Sequence, residues 1–217
     1  MTIQDASSES VATFNKLADV YASKYFSLTQ YDRFYSMLVE RLPQTACTVI
    51  DIACGPGNVA AYLARVRPDL AITGIDLAPN MITEAKRRVP NASFHVGDCR
   101  ELEQFGTGFQ AAVFAFGLSY LPQKDAQRFF ASLSHVLADD GVLLLATITG
   151  KEEISRYETA STGDRVFMVY RTPEQVLQLV QACGFLVEFS ELLPSPANAS
   201  IETTDLVLIA RKTSVTA

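Results

Sequence analysis

Apolar positions recur along this chain with two alternating periods. Val11, Phe14, Ala18, Tyr21 and Tyr25 advance by three or four residues, as one face of a helix does. Tyr31, Phe34, Tyr35, Leu38 and Leu42 repeat that step before Pro43 ends the second helix. A short, nearly continuous apolar run follows at 48–52 (TVIDI), then a helical face with Val59, Tyr62, Leu63 and Val66. Further strands are predicted at 70–76, 92–96, 109–116 and 141–148. The helices between them carry Met81, Ile82 and Ala85 behind Pro79, and Ala126, Phe129, Phe130, Leu133 and Leu137. Strands apolar on both faces, alternating with amphipathic helices, imply an α/β chain with a doubly wound, mostly parallel sheet covered on both sides. A last helix with Val176, Leu179, Val180 and Cys183 stops at Gly184. The strands predicted at 185–193 and 203–211 are joined by the polar loop PSPANASIE, which leaves no room for a helical crossover, so they should pair antiparallel. The stretch 150–172 fits no standard unit of such a fold; within it RVFMVY (165–170) reads as a strand or an extended cover over the sheet edge.

Composition narrows this picture. With 217 residues, 48% of them apolar, the chain is expected to form one domain, and disorder is excluded. The longest apolar stretch, 111–118, is shorter than the roughly 18 residues a membrane span needs. The first ten residues, MTIQDASSES, lack an early base and an apolar core, so a secretory leader is not expected and a cytoplasmic location is. Cys47, Cys54, Cys99 and Cys183 show no CxxC spacing and read as reduced thiols. His95 and His135 lie far apart, without a zinc pattern, and read as structural. A net charge of −6 argues against nucleic acid as a partner. The basic groups Arg65/Arg67 and Lys86–Arg87–Arg88 fall at predicted helix C-termini, where they offset the helix dipole.

The chemistry concentrates in VIDIACGPGNVAAYL (49–63). Gly55 and Gly57 stand where a buried strand turns into a helix, and without a Cβ they allow a sharp bend and close approach of a ligand. The spacing Gly55-x-Gly57-x-x-Ala60, with Asp76 ending the next strand, matches a dinucleotide-binding fingerprint. Asp51, at the end of the strand entering the loop, distinguishes between cofactors. Two unit charges ~4 Å apart interact by ~4 kcal/mol at an effective dielectric of ~20. That sign opposes the pyrophosphate of NAD and favours a ligand with an ammonium end. The alternative for Asp51 is a brace that only accepts backbone N–H bonds.

These residues, D-I-A-C-G-P-G (51–57), Asp76 after G-I, and G-D-C (97–99), resemble the class I S-adenosylmethionine-dependent methyltransferases, from about Cys47 to Gly150. The resemblance implies a Rossmann-like sheet of seven strands, the last reversed. It implies that Asp51 and the backbone at Ala53, Gly55 and Gly57 cradle the methionine part, and that Asp76 takes the ribose hydroxyls. Leu77 and Met81 would lie beside the adenosine, Asp98 and the Cys99 backbone against the adenine, and Phe116 and Gly117 under the sulfonium. D-C-R-E (98–101) also reads as a capping box, with Glu101 reaching back to Asp98, a role compatible with adenine binding.

Methyl transfer from a sulfonium needs alignment and a dry pocket more than acid–base groups. The loop F-G-L-S-Y-L-P (116–122) lacks both the Asn/Asp-Pro-Pro-aromatic motif of nucleic-acid amino-methyltransferases and the metal-binding acid of catechol-type enzymes. That points to a metal-independent enzyme with a small-molecule acceptor, releasing S-adenosylhomocysteine. Ser119 and Tyr120 are the acceptor-site candidates, against the alternative of a turn serine and a packed tyrosine. The aromatic stripe of the N-terminal helices reads as core or, as the resemblance implies, as a lid over the cofactor, with Tyr21, Lys24 and Tyr25 as cofactor-binding candidates that reach inward. Arg156, Tyr157, Arg165 and Tyr170 are candidates for holding an acidic or aromatic acceptor from the other half of the lid. The expected organisation is one domain over 1–217: a helical lid (1–45), a cofactor-binding core (46–150), a substrate-covering insertion (151–172), and a C-terminal helix with an antiparallel strand pair (173–217). A monomer or homodimer without nucleic-acid or membrane partners is expected. The competing readings are an NAD-linked oxidoreductase and a non-catalytic nucleotide-binding protein of the same fold.

Overall fold

In the computed structural model, helices α3 (Asp32–Val39), α4 (Asn58–Val66) and α5 (Pro79–Arg88) cover one face of the main sheet, and α6 (Gln123–Val136) and α7 (Pro173–Ala182) cover the other. The structure describes residues 3–151, 153–159, 163–194 and 203–213, the side chains of 3–7 excepted. The sheet has seven strands: β1 (Thr48–Ile52), β2 (Ala71–Asp76), β3 (Ser93–Val96), β4 (Phe109–Ala115), β5 (Leu137–Thr149), β8 (Phe185–Pro194) and β9 (Thr204–Lys212). Their order is β3-β2-β1-β4-β5-β9-β8. The pairs among β1 to β5 are parallel, whereas β9 runs antiparallel to both β5 and β8. The reversed last strand therefore lies inside the sheet, with β8 at its edge. The connecting loop at 195–202 lies outside the described residues.

Strand alternation sorts the core into two layers. Ile50, Ile52, Ile75 and Phe114 pack with Phe129, Phe130 and Val180, while Val49, Ile72 and Val113 pack with Phe34, Leu38, Leu63 and Ala85. Pro79 opens α5 and Thr172 caps α7 in a capping box with Gln175.

Two elements depart from the sequence pattern. The N-terminal face is broken at Leu17 into α1 (Ile3–Lys16) and α2 (Ala18–Tyr25). The stretch 150–172 folds into an antiparallel pair, β6 (Ile154–Thr159) and β7 (Arg165–Tyr170), which forms a second sheet. Helix α1 lies on that pair: Phe167 N–H donates to Ser10 Oγ at 2.8 Å and Thr13 Oγ1 donates to the Arg165 carbonyl at 2.7 Å. At its other end α1 is tied to α5 by two 2.8 Å bonds, from the Asn80 N–H to Asn15 Oδ1 and from Asn80 Nδ2 to the Asn15 carbonyl. Among the described residues no helix is long and apolar enough to cross a membrane.

Candidate functional site

The strand order reverses between β1 and β4, and in an open α/β sheet the crevice beyond that point is where ligands collect. Here the two strands end in residues with left-handed backbone, Ala53 (φ +52°) and Phe116 (φ +64°). Left-handed backbone costs a residue with a Cβ roughly 1–2 kcal/mol, and both residues line a cavity of about 160 Å³. Asp76, at the end of β2, closes the loop between β1 and α4: its Oδ2 accepts from Gly55 N–H at 2.9 Å and its Oδ1 from Ala78 N–H at 2.8 Å. Burial raises its pKa, opposed by those two bonds. A carboxylate oxygen accepts two hydrogen bonds, so each Asp76 oxygen keeps a site for a ligand hydroxyl.

Beyond β3, the Asp98 carboxylate is held by the Arg100 guanidinium and by Arg100 N–H at 2.9 Å. Arg100 pairs with Asp125 as well, at 3.0 Å. Burial works to raise the Asp98 pKa, but the arginine outweighs it and holds the group below the usual carboxylate range. Leu77, Met81, Gly97 and Cys99 complete this end. At the opposite end Gly117 starts a short 3-10 turn (Leu118–Tyr120), and α1 and α2 contribute Ser10, Val11, Phe14 and Tyr21 to the roof.

The sequence pattern of a methyltransferase domain family matches residues 49–141. Demethylmenaquinone methyltransferase of Thermotoga maritima is 28% identical over 195 residues, covering 78% of this chain and 82% of that one. Trans-aconitate 2-methyltransferase of Escherichia coli is 36% identical over 110 residues, covering 49% of this chain and 41% of that one. The crystal structure of Burkholderia thailandensis 1,6-didemethyltoxoflavin-N1-methyltransferase, with bound 1,6-didemethyltoxoflavin and S-adenosylhomocysteine, superposes with a TM-score of 0.75 at 18% identity, over 99% of this chain and 92% of that one. Residues 49–141 thus match a methyltransferase domain, and the fold is the one seen in solved S-adenosylmethionine-dependent methyltransferases.

In this chain the cavity gathers Ala53, Gly55, Asp76, Leu77, Met81, Asp98, Cys99, Phe116, Gly117, Tyr21 and Tyr120 from the residues expected of the site. Several others fall elsewhere. Asp51 is 1% exposed and does not line the cavity; its Oδ2 accepts from Ala60 N–H at 3.2 Å, bracing the first turn of α4. The cause is strand parity: Asp51 shares the face of Val49, beneath α4, not the face of Ile50 and Ile52. Gly57 (φ +88°) also stands behind the loop, where a Cβ would lie 3.3 Å from Ala85 on α5. Lys24 is exposed, with its ammonium 4.9 Å from the Tyr25 ring centre, and Tyr25 stacks on Tyr21 outside the cavity lining. Ser119 is fully buried behind the turn, its hydroxyl 3.0 Å from Thr147 Oγ1.

The proposed acceptor clamp does not assemble either. Arg165 pairs with Glu9 of α1 at 2.7 Å and lies over the Tyr157 ring, while Arg156 pairs with Glu158. Tyr170 is buried and donates to Glu158 at 3.1 Å. These side chains secure the β6–β7 pair and α1 instead of lining the cavity. The capping box at 98–101 is absent, because Arg100 occupies the Asp98 carboxylate and the short helix Leu102–Phe105 starts without a side-chain cap. Among the lining residues that sequence reasoning missed are Arg100, Ser10, Val11 and Phe14. Val11 and Phe14 carried a signal, the apolar face of α1; Arg100 carried only its place next to Asp98.

The two glycines separate by role. Gly57→Ala is expected to lower stability by about 1–2 kcal/mol through left-handed backbone alone, with the contact to Ala85 adding to it. Gly55 (φ +53°) has nothing within 4 Å of an added Cβ. Its alanine variant carries the same left-handed cost without the Ala85 contact, so it should melt between Gly57→Ala and the parent yet bind S-adenosylhomocysteine more weakly. Thermal melts and calorimetry on the two variants check this; equal melting and equal binding would refute the division.

Proposed function

We propose that this chain transfers a methyl group from S-adenosylmethionine to a small molecule, without a metal ion. The observation that carries the reading is Asp76, which faces the cavity while both its oxygens already hold backbone N–H groups of the loop and of the start of α5. The residues fit a nucleoside: the carboxylate has acceptor sites left for two ribose hydroxyls, and Gly55 leaves the approach open. Ala53 and Gly55 would lie along the methionine part, Leu77 and Met81 beside the adenosine, Asp98 and the Cys99 backbone at the adenine, and Phe116 and Gly117 near the sulfur. S-adenosylmethionine held there would supply an activated methyl group for an acceptor lone pair, the C–S electron pair remaining on sulfur as a neutral thioether, and a proton on the acceptor would be lost to solvent once the site opens. The chain's part is to orient the acceptor and exclude water, with residues 1–45 and 151–172 as the cover. The acceptors in the relatives' names, demethylmenaquinone and trans-aconitate, support a small molecule. Metal independence is supported by Phe116-Gly117 offering no acid at the end of β4.

Parallel calorimetric titrations with S-adenosylhomocysteine and NAD test the cofactor. Heat with the thioether and none with NAD is expected; the reverse would make the chain an NAD-binding protein. Conversion of S-adenosylmethionine with an acceptor pool should persist in EDTA, and its loss there would overturn metal independence. Thioether binding without turnover on any acceptor would favour a non-catalytic nucleotide-binding role.

A further inference from the structure

The roof end of the cavity is aromatic. Phe14 stands between Tyr21 and Tyr120, edge-on to both, with ring centres 6.0 and 5.1 Å away. Val11, Phe116 and Leu121 extend the same wall. Its polar atoms include the hydroxyls of Tyr21 and Tyr120. Among the described residues neither makes a hydrogen bond, and both groups are largely buried. Burial, then the fields of Tyr25 and Asp76, pushes Tyr21 up to about 12. Burial and Tyr21 push Tyr120 up as well, so both rings are neutral donors at physiological pH.

Among the described residues no unpaired cation lines the cavity; Lys24 stands outside the lining, exposed against the Tyr25 ring, and the arginines are engaged. Arg156 and Arg165 hold Glu158 and Glu9. Arg171 is buried with its guanidinium donating to the carbonyls of Leu118 and Leu121, at 3.3 and 2.7 Å. Arg100 lies between Asp98 and Asp125. The carboxylates that line the cavity, Asp76 and Asp98, repel an anion. An anionic acceptor would thus lose its water without gaining a counter-charge. A cationic one would sit beside a sulfonium.

The geometry points to a neutral, flat acceptor whose ring packs against Phe14 and Phe116 and whose oxygen or ring nitrogen accepts hydrogen bonds from the Tyr21 and Tyr120 hydroxyls. This rests on the cofactor reading above. Arg171 fixes the turn that carries Tyr120, which sets where the second donor stands.

The test uses the full chain saturated with S-adenosylhomocysteine, whose own binding is titrated first. The probes 1-naphthol, 1-naphthoate and citrate are then titrated separately. The neutral naphthol is expected to bind at least about tenfold more tightly than the naphthoate, which must bury its charge unpaired, and citrate to give no heat. Tyr120→Phe, which keeps the ring, should weaken naphthol binding about five- to tenfold and leave S-adenosylhomocysteine binding as it was. Naphthoate binding as tightly as naphthol, heat from citrate, no binding by any probe, or an unaffected Tyr120→Phe variant would each overturn the acceptor class and leave the cofactor reading standing. No binding of S-adenosylhomocysteine in the first titration would bring down both.

Discussion

An Asp76→Ala variant is expected to lose S-adenosylhomocysteine affinity by about a hundredfold or more and to melt below the parent. Two hydrogen bonds from ribose hydroxyls to a carboxylate, each worth about 1.5–3 kcal/mol, give at least about 3 kcal/mol, which is the hundredfold. The melting change has a separate origin. Alanine leaves Gly55 N–H and Ala78 N–H without their acceptor, and a buried donor without a partner costs about 1–3 kcal/mol. Asp76→Asn keeps one acceptor oxygen and should fall between the two. Calorimetry and thermal melts on both variants decide the matter: a folded alanine variant with parental affinity would place the ribose elsewhere.

The second large effect concerns Asp51. Burial pushes its carboxyl from the ordinary 3.8 up to about 7, against the single bond from Ala60 N–H, with Asp76's charge adding to the rise. A proton held more tightly in the folded than in the unfolded chain contributes stability below the unfolded pKa, and that contribution is lost as pH climbs through the folded one. Over the window from about pH 4 to above 7 the loss is on the order of 4 kcal/mol. Asp51→Asn carries no such proton. Relative to the parent it should therefore gain stability between pH 5 and pH 8, by about 2.7 kcal/mol, the part of that loss that falls inside this window. Urea unfolding of the two proteins at both pH values measures the difference, and a gap that does not change with pH would sink the explanation. A carboxylate behind the glycine loop also favours a ligand's ammonium end. The parent should thus bind S-adenosylhomocysteine more tightly at pH 8 than at pH 6, and the variant should not.

The central strands were legible because they are buried on both faces and bounded by strong punctuation, Pro43 before β1 and Pro79 after β2; the edge strand β8 was marked by Gly184 before it. Strand β6 was not, since ISRYET has no apolar alternation and lies half out in solvent. The break at Leu17 has no Gly or Pro to mark it; leucine is a good helix former, and tertiary contacts to β7 and α5 set the division. For the site, residues at strand ends and in the glycine loop could be assigned because topology fixes their direction. Asp51 was legible in principle, since counting alternate residues from Val49 puts it under the helices. Ser119 and Tyr120 are neighbours in one turn, and spacing alone does not say which of the two faces inward. Arg156 and Arg165 looked available only because Glu158 and Glu9 were not yet known to be beside them.

Helix α1 is moored on two banks. Asn15 holds α5 on one side, while Ser10 and Thr13 grip the main chain of β7 on the other. Because these grips are on backbone atoms, changing side chains along β7 leaves them in place. The helix thus joins β7 to α5, and the β6–β7 pair is tied in turn to the end of β5 through Gly150 N–H and the Arg171 carbonyl. Breaking the Asn15–Asn80 pair would therefore free α1 from α5 while leaving it joined to β7.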